Sequence, residues 1–371
     1  MDHGSVSSDS GNSKSRGEGK KVKLLFIGTD DIHTPKWVKY FKEEGYPCLF
    51  HKIDGKRSVF KELNYLRSEV RAFEPDIVHT HYAGRNGLIG TLLNFHPHVV
   101  TVHGSEVLLS HFPKKQLVSW ILRKADMVTT DSQAVEKKIW DMGVSCWNTE
   151  IVRFGVDVEF FYPYPKKDGK TIDPSIISLR SFESIYDIET LLRAFQIVLE
   201  HYPKADLVLL GGGRKYRSLV YLAQYLGIYD RTFFYGQMSP FSVRNHLRSS
   251  WVYVSTALSD AGLASSTAEA MACELPCVIT DVAENAGWVC PYHLFKPGDY
   301  KTLAEIIIDL IENPDERELY GKLERDLIIE HNNYHTEMAK METLYTNLIL
   351  GGTRNERKES CGKRETQRHF V

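Results

Sequence analysis

No two cysteines in this 371-residue chain have C-x-x-C spacing; the six, Cys48, Cys146, Cys273, Cys277, Cys290 and Cys361, are scattered. That argues against a zinc site or a disulfide framework and suits reduced thiols. No apolar run approaches the length that spans a bilayer, and Met1 to Lys20 is polar and Ser/Gly/Lys-rich, without the hydrophobic core of a signal peptide. A cytoplasmic protein is the expectation. An excess of charge is missing too: 46 Lys and Arg oppose 48 Asp and Glu, so nothing in the overall charge draws the chain to nucleic acid. The stretch after Gly351 is apolar-poor, and both ends, 1–20 and 351–371, are expected to be disordered.

What is present is a long alternation. Lys21 to Thr29 reads as a buried strand ending in Gly28, followed by a helix over Ile32 to Glu44. Pro47 to Ile53, Asp76 to His81, His98 to Glu106, Met127 to Thr130 and Thr149 onward read as further strands. Helices fall between them, among them Val59 to Phe73 and Leu117 to Ala125. Repeated strand–helix units predict an α/β fold with a parallel, doubly wound sheet. Pro163 to Gly169 is a Pro- and charge-rich linker, after which the pattern restarts with the strand Ser175 to Arg180. Two similar domains are therefore expected, residues 21–165 and 166–334, followed by a final helix over 335–350.

The second half leads into Ser259 to Thr280, a turn, then a helix from Ser265 to Ala272, then Pro276 and a strand. The first N–H groups of a helix lack internal partners and the helix dipole adds positive charge there, so such a start can hold a diphosphate. Glu269, further along, would lie beside the ligand, where a carboxylate can accept hydrogen bonds from paired sugar hydroxyls. The competing reading is an ordinary loop and helix with Glu269 on a wet face. Arg180 leaves its strand for a loop where a guanidinium can clamp phosphate. Gly211, Gly212 and Gly213 invite a dinucleotide-binding reading, and with it an oxidoreductase, but Tyr216 stands where G-x-G-x-x-G wants its last glycine.

In the first half, His33 lies in a loop. His79 and His81 share a strand face and read as a polar cleft wall in preference to a metal site. His103 and Gly104 end a strand, where open α/β sheets keep their ligands.

Several stretches together, in order over Lys21 to Leu350, resemble the retaining GT-B glycosyltransferases of family four. They are Gly28 through Trp37, Pro75-Asp-Ile-Val-His79, Thr101-Val-His-Gly-Ser-Glu106, Phe154-Gly-Val-Asp157, Tyr235-Gly236-Gln237 and Glu269-Ala-Met-Ala-Cys-Glu-Leu-Pro276. The resemblance implies two facing Rossmann-like domains, with the carboxy-terminal helix returning to the first. It also implies transfer of a hexosyl-type sugar from a nucleoside diphosphate sugar, UDP-linked first and GDP-linked second, to a hydroxyl acceptor. Gln237 and Met238 main chain would flank the base and Glu269 the ribose. Ala261, Gly262 and Leu263 N–H groups with Arg180 would hold the diphosphate, and Gly28, Thr29, Gly211 and Gly212 would line the donor site. His103 would lie beside the donor sugar, and the acceptor would enter near His33, Thr34, His81 and Glu106. No D-x-D motif is present, no further cofactor is implied, and catalysis is expected without a metal.

Two departures stand out. The family's E-x7-E pair would put its first acid at Ala261, whereas Asp260 stands one position earlier. A lysine usual five residues after the arginine is Ile185 here, followed by Tyr186. A degenerate module that binds a sugar nucleotide without turnover is the alternative these motivate. Lys36, Lys39 and Lys42, spaced by three beside Trp37 and Tyr40, admit an ordinary solvated face or a basic face resting peripherally on anionic lipid at the inner membrane surface.

Overall fold

The computed structural model describes residues 21–31, 33–108, 112–164 and 171–351; the expected tails before residue 21 and after 351, and most of the expected linker, lie outside these residues. Among the described residues the chain forms two six-stranded parallel sheets. The first contains β1 (Leu24–Gly28), β2 (Cys48–Lys52), β3 (Ile77–His81), β4 (His98–Val102), β5 (Met127–Thr130) and β6 (Thr149–Ile151), in the order β2-β1-β3-β4-β5-β6. The second contains β7 (Ser175–Ser178), β8 (Asp206–Leu209), β9 (Thr232–Phe234), β10 (Val252–Ser255), β11 (Cys277–Thr280) and β12 (Leu294–Phe295), in the order β12-β11-β10-β7-β8-β9. Strands β1, β3 and β4 are buried along their whole length, because helices cover both faces of a parallel sheet.

The order fixes where ligands can go. Chain direction across the sheet reverses between β1 and β3 in the first domain and between β7 and β10 in the second. Loops leaving those paired strands diverge and open a crevice at their carboxyl ends. Gly28 and His81 end β1 and β3, while the loops after β7 and β10 carry Arg180 and Asp260.

Most expected elements are found within a residue or two, and Val59–Phe73, Met127–Thr130 and Ser265–Ala272 coincide with their expected limits. The strand expected to end at His103 and Gly104 ends at Val102, directly before them. Gly104 takes φ +95°, a conformation that ends extended backbone, and a short helix, Ser105–Leu108, follows. Glu106 closes that turn by accepting from the His103 N–H at 3.0 Å. Glu274, at the position where the family pattern has glycine, adopts φ 56°, so the backbone keeps the left-handed conformation with a residue that ordinarily avoids it.

The last helix, Tyr334–Ile349, buries Tyr334, Met338, Met341 and Tyr345 in one cluster with Leu24, Phe26, Trp37 and Phe41 of the first domain. That cluster bears on the first helix and on His79. Trp37 is fully buried and Tyr40 nearly so, and Lys36 points inward, so the first helix, His33–Glu43, presents no aromatic basic face to a membrane. His79 is interior as well, bonded to Tyr345 Oη at 2.5 Å and to Thr101 Oγ1 at 2.6 Å, and lines no cleft. No described helix is long and apolar enough to cross a membrane. Cys48, Cys273, Cys277 and Cys290 are free thiols.

Candidate functional site

The helix Ser265–Ala272 begins after Ala264, whose methyl side chain can make no capping hydrogen bond. A Ser, Thr or Asp there would accept from the first turn; Ala leaves those N–H groups for something else. Gly262 lies where a side chain would press on Ser132 Cβ at 3.0 Å, so the loop before the helix is in contact with the first domain. The Ser132 hydroxyl donates to the Ala261 carbonyl at 2.8 Å, and Ala134 N–H donates to Glu284 Oε1 at 2.6 Å. The Ala261 methyl packs against the apolar cluster that contains Val100, Val102 and Val135.

Asp260 turns the other way. Its Oδ1 lies 2.5 Å from Arg180 Nη2, with side-chain exposures of 12% and 7%. Burial pushes the Asp260 carboxyl up and the Arg180 charge opposes that. The Arg180 guanidinium also sits 4.3 Å from the Tyr186 ring centroid. Gly211 is required beside it, since a Cβ there would come within 2.6 Å of the Arg180 carbonyl oxygen; Gly212 has open space around it. Gln237 is exposed and Met238 half-buried at the turn after β9.

Glu269 faces Lys36 of the first domain. Burial raises its carboxyl to about 7 and the Lys36 charge resists the rise. Burial in turn lowers Lys36 to about 8, against the influence of Glu269 and Asp157. The two directions agree on an environment that disfavours charge, and their mutual attraction falls short of cancelling it. Lys36 Nζ donates to the Gly155 carbonyl at 2.7 Å and lies over the Tyr334 ring, which fixes it where the two domains meet.

On the first-domain side, rings are stacked against one another. His103 lies 3.7 Å from the Tyr82 ring centroid and 4.8 Å from that of Phe154, and His33 stacks on Phe154 at 4.1 Å. His81 Nδ1 and His103 Nε2 are 3.2 Å apart, and both imidazoles are held neutral: burial takes His81 to about 3 and His103 well below its ordinary value. His103 Nδ1 is buried without a hydrogen-bond partner. Asp31 braces the loop after Gly28, accepting from Thr29 Oγ1, His33 N–H, Thr34 N–H and Thr34 Oγ1.

The structure thus brings Arg180, Asp260, Ala261, Gly262, Leu263 and Glu269 to one side of the interdomain cleft and Gly28, Thr29, His33 and His103 to the other. Thr34, His81 and Glu106, expected along an acceptor path, are buried and bonded within the domain, because strand and helix starts turn them inward. Their influence is through His33 and His103. Sequence reasoning missed Lys36, Asp31, Tyr82 and Ser132 as cleft residues. For Asp31 and Ser132 a signal existed, the Asp or Ser set two or three residues before a helix turn; for Lys36 and Tyr82 none did. No cluster of three His, Cys, Asp or Glu among the described residues could hold a metal ion.

Both domains match known protein families. The family described as "Glycosyl transferases group 1" matches residues 164–326, and "Glycosyltransferase Family 4" matches residues 28–160. N-acetyl-alpha-D-glucosaminyl L-malate synthase of Bacillus anthracis is 22% identical over 302 residues, 74% of this chain and 75% of that protein. An uncharacterized glycosyltransferase of Methanocaldococcus jannaschii is 26% identical over 253 residues, 65% of this chain and 63% of that one. Among solved structures, sucrose-phosphate synthase of Thermosynechococcus elongatus superposes with TM-score 0.77 at 18% identity, covering 89% of this chain and all 100% of that one. An Anabaena protein in complex with UDP-glucose superposes with TM-score 0.72 at 16% identity over 88% of this chain and 100% of that one. These superpositions establish the GT-B fold.

Proposed function

The chain belongs to the group 1 glycosyltransferases, and from that premise we propose that it moves a hexosyl-type sugar from a nucleoside diphosphate sugar to a hydroxyl acceptor with retention of anomeric configuration. UDP is the favoured nucleotide, in keeping with the UDP-glucose held by the Anabaena protein of the same fold. The observation that carries the reading is that, at the reversal point of the second sheet, the loops after β7 and β10 bring Arg180 and Asp260 together just before an uncapped helix start, with Glu269 on that helix.

In this reading the ribose hydroxyls donate to Glu269, the base lies against the Gln237–Met238 main chain, and the diphosphate takes the N–H groups of Ala261 to Leu263 and the Arg180 guanidinium. Gly28 and Thr29 approach the donor from the opposite wall. Departure of the diphosphate leaves an oxocarbenium-like sugar, and the acceptor oxygen attacks from the face the diphosphate leaves. The departing phosphate takes the acceptor's proton. Negative charge grows on the leaving group, and each oriented donor aimed at it is worth on the order of 3 kcal/mol. His103, neutral and with Nδ1 unengaged, offers a hydrogen bond to a sugar hydroxyl and no positive charge to repel the forming cation.

A thermal-shift screen of nucleotide sugars against the protein and its Glu269→Ala variant tests the assignment. A stabilising donor whose effect vanishes in the variant supports it; an undiminished response in the variant refutes the ribose contact. The alternative, binding without turnover, is favoured by the replacement of the family's acid by Ala261 and by an Arg180 already matched by Asp260. Slow release of nucleoside diphosphate from the bound donor identifies an enzyme; tight binding with none identifies the module.

A further inference from the structure

We propose that Asp260 competes with the donor's diphosphate for Arg180, and that this exchange makes the site grip an intact sugar nucleotide more firmly than the nucleoside diphosphate left after transfer. The inference rests on the reading of Arg180 as a diphosphate ligand.

Sheet order sets the two residues side by side. β7 and β10 are neighbours, with Ile176 opposite Val252 and Ile177 opposite Tyr253, so the loops that follow them leave together. One brings Arg180 and the other Asp260, and the two close to 2.5 Å in nearly complete burial. The turn that would bring the family's lysine is committed elsewhere: Leu258 N–H donates to the Ile185 carbonyl and Thr256 Oγ1 to the Tyr186 carbonyl, both at 2.8 Å, and the Tyr186 ring lies against Arg180. Lys36, a second cation of the cleft, is engaged by the Gly155 carbonyl and faces Glu269. Each of these two cations therefore already faces a carboxylate before any ligand arrives.

A diphosphate reaching Arg180 must share or displace Asp260. Displacement strands a carboxylate in a largely dry place, which is unfavourable unless something donates to it. Asp260 directly precedes the loop expected to hold the diphosphate. An intact donor brings both parts of the solution, phosphate oxygens for Arg180 and sugar hydroxyls for Asp260. The free nucleoside diphosphate brings only the first, so Asp260 returns to Arg180 and speeds release of the product. The two departures from the family pattern, an acid one residue early and a tyrosine beside the missing lysine, then act as one device.

Calorimetric titration of the full chain with UDP and with UDP-glucose, repeated on Asp260→Asn, tests this. The nearly isosteric amide keeps packing but gives up the charge competing for Arg180. The expectation is that UDP binds about tenfold more tightly to the variant, while UDP-glucose gains nothing or weakens, so the preference for the intact donor collapses. An unchanged or weakened UDP affinity in a variant that still binds UDP-glucose overturns the inference and leaves the nucleotide-sugar reading standing. Binding of neither UDP nor UDP-glucose, nor of GDP and GDP-mannose, to the unsubstituted protein overturns both. Should Asp260→Asn fail to fold, Asp260→Ser, which also removes the competing charge, takes its place in the same titrations: tighter UDP binding supports the inference and unchanged or weaker binding overturns it.

Discussion

Ser132 and Ala261 join the two domains directly, the hydroxyl of one donating to the carbonyl of the other at 2.8 Å. The loop whose N–H groups are proposed to hold the diphosphate therefore closes against the first domain, and Gly104 is a point of tight approach, since a Cβ there would lie 2.3 Å from Ala261 Cβ. Gly104→Ala is expected to cost about 1–3 kcal/mol for a side chain at positive φ and to hold the cleft open. Transfer activity should fall by about tenfold or more in protein that still melts cooperatively. Undiminished kcat/KM would show that closure at this contact is not needed.

The crossing between the domains is equally intolerant at Gly155. With φ +68°, an added Cβ would meet Tyr334 Cα at 2.4 Å and its nitrogen at 2.8 Å, and neither backbone atom can yield. Gly155→Ala should destabilise by about 3 kcal/mol, at the upper end of ordinary single substitutions. Its urea midpoint against that of the unsubstituted chain checks this.

Breaking the buried ion pair from one side should be costly. Arg180→Ala leaves Asp260 buried without its partner, and a loss of about 3 kcal/mol is expected. The double variant Arg180→Ala/Asp260→Ala should be more stable than Arg180→Ala alone. A double-mutant cycle by urea denaturation reads the coupling directly, and additive losses would show the pair to be energetically silent.

Glu269 predicts opposite pH trends for folding and for binding. Its folded value, about 7, lies above the ordinary 4.5, so the folded protein holds this proton more firmly than the unfolded chain. That contribution to stability is fully present below the unfolded value and is lost as pH rises through about 7. Nucleotide affinity should move the other way, rising between about pH 6 and about pH 8 as the carboxylate forms and can accept from both ribose hydroxyls. Glu269→Gln should flatten the binding trend. A pH-independent Kd in the unsubstituted protein would contradict the ribose assignment.

Charge on the leaving diphosphate is, in the proposed mechanism, met by backbone N–H groups and Arg180. Chelator-treated protein should therefore retain transfer activity; complete loss, restored by Mg²⁺ or Mn²⁺, would overturn that expectation.

The two-sheet architecture was legible because continuous apolar strands such as Leu24-Leu-Phe-Ile27 and helices with periodic apolar faces report burial through local composition alone. The same holds for the helix start at Ser265 and for the positions of Arg180 and His103 at the ends of their strands. Less legible was which way a polar residue turns. His79 and His81 alternate correctly on β3, yet both are enclosed: Tyr345 of the helix Tyr334–Ile349 arrives from the far end of the chain onto His79, and Trp37 and His103 enclose His81. The same arrival buries Trp37 and Tyr40, leaving Lys39 and Lys42 on an ordinary solvated face.

By itself, then, the order of residues determined the alternating units, the two sheets and the loops that bear the chemistry, since these follow from periodicity and chain-local capping. Only the tertiary structure decided that Ala261 meets apolar side chains of the other domain, that Asp260 turns back to Arg180, and that Lys36 faces Glu269. Those relationships join residues 80 or more positions apart, brought together by sheet order and domain closure, and no local pattern encodes a distance of that kind.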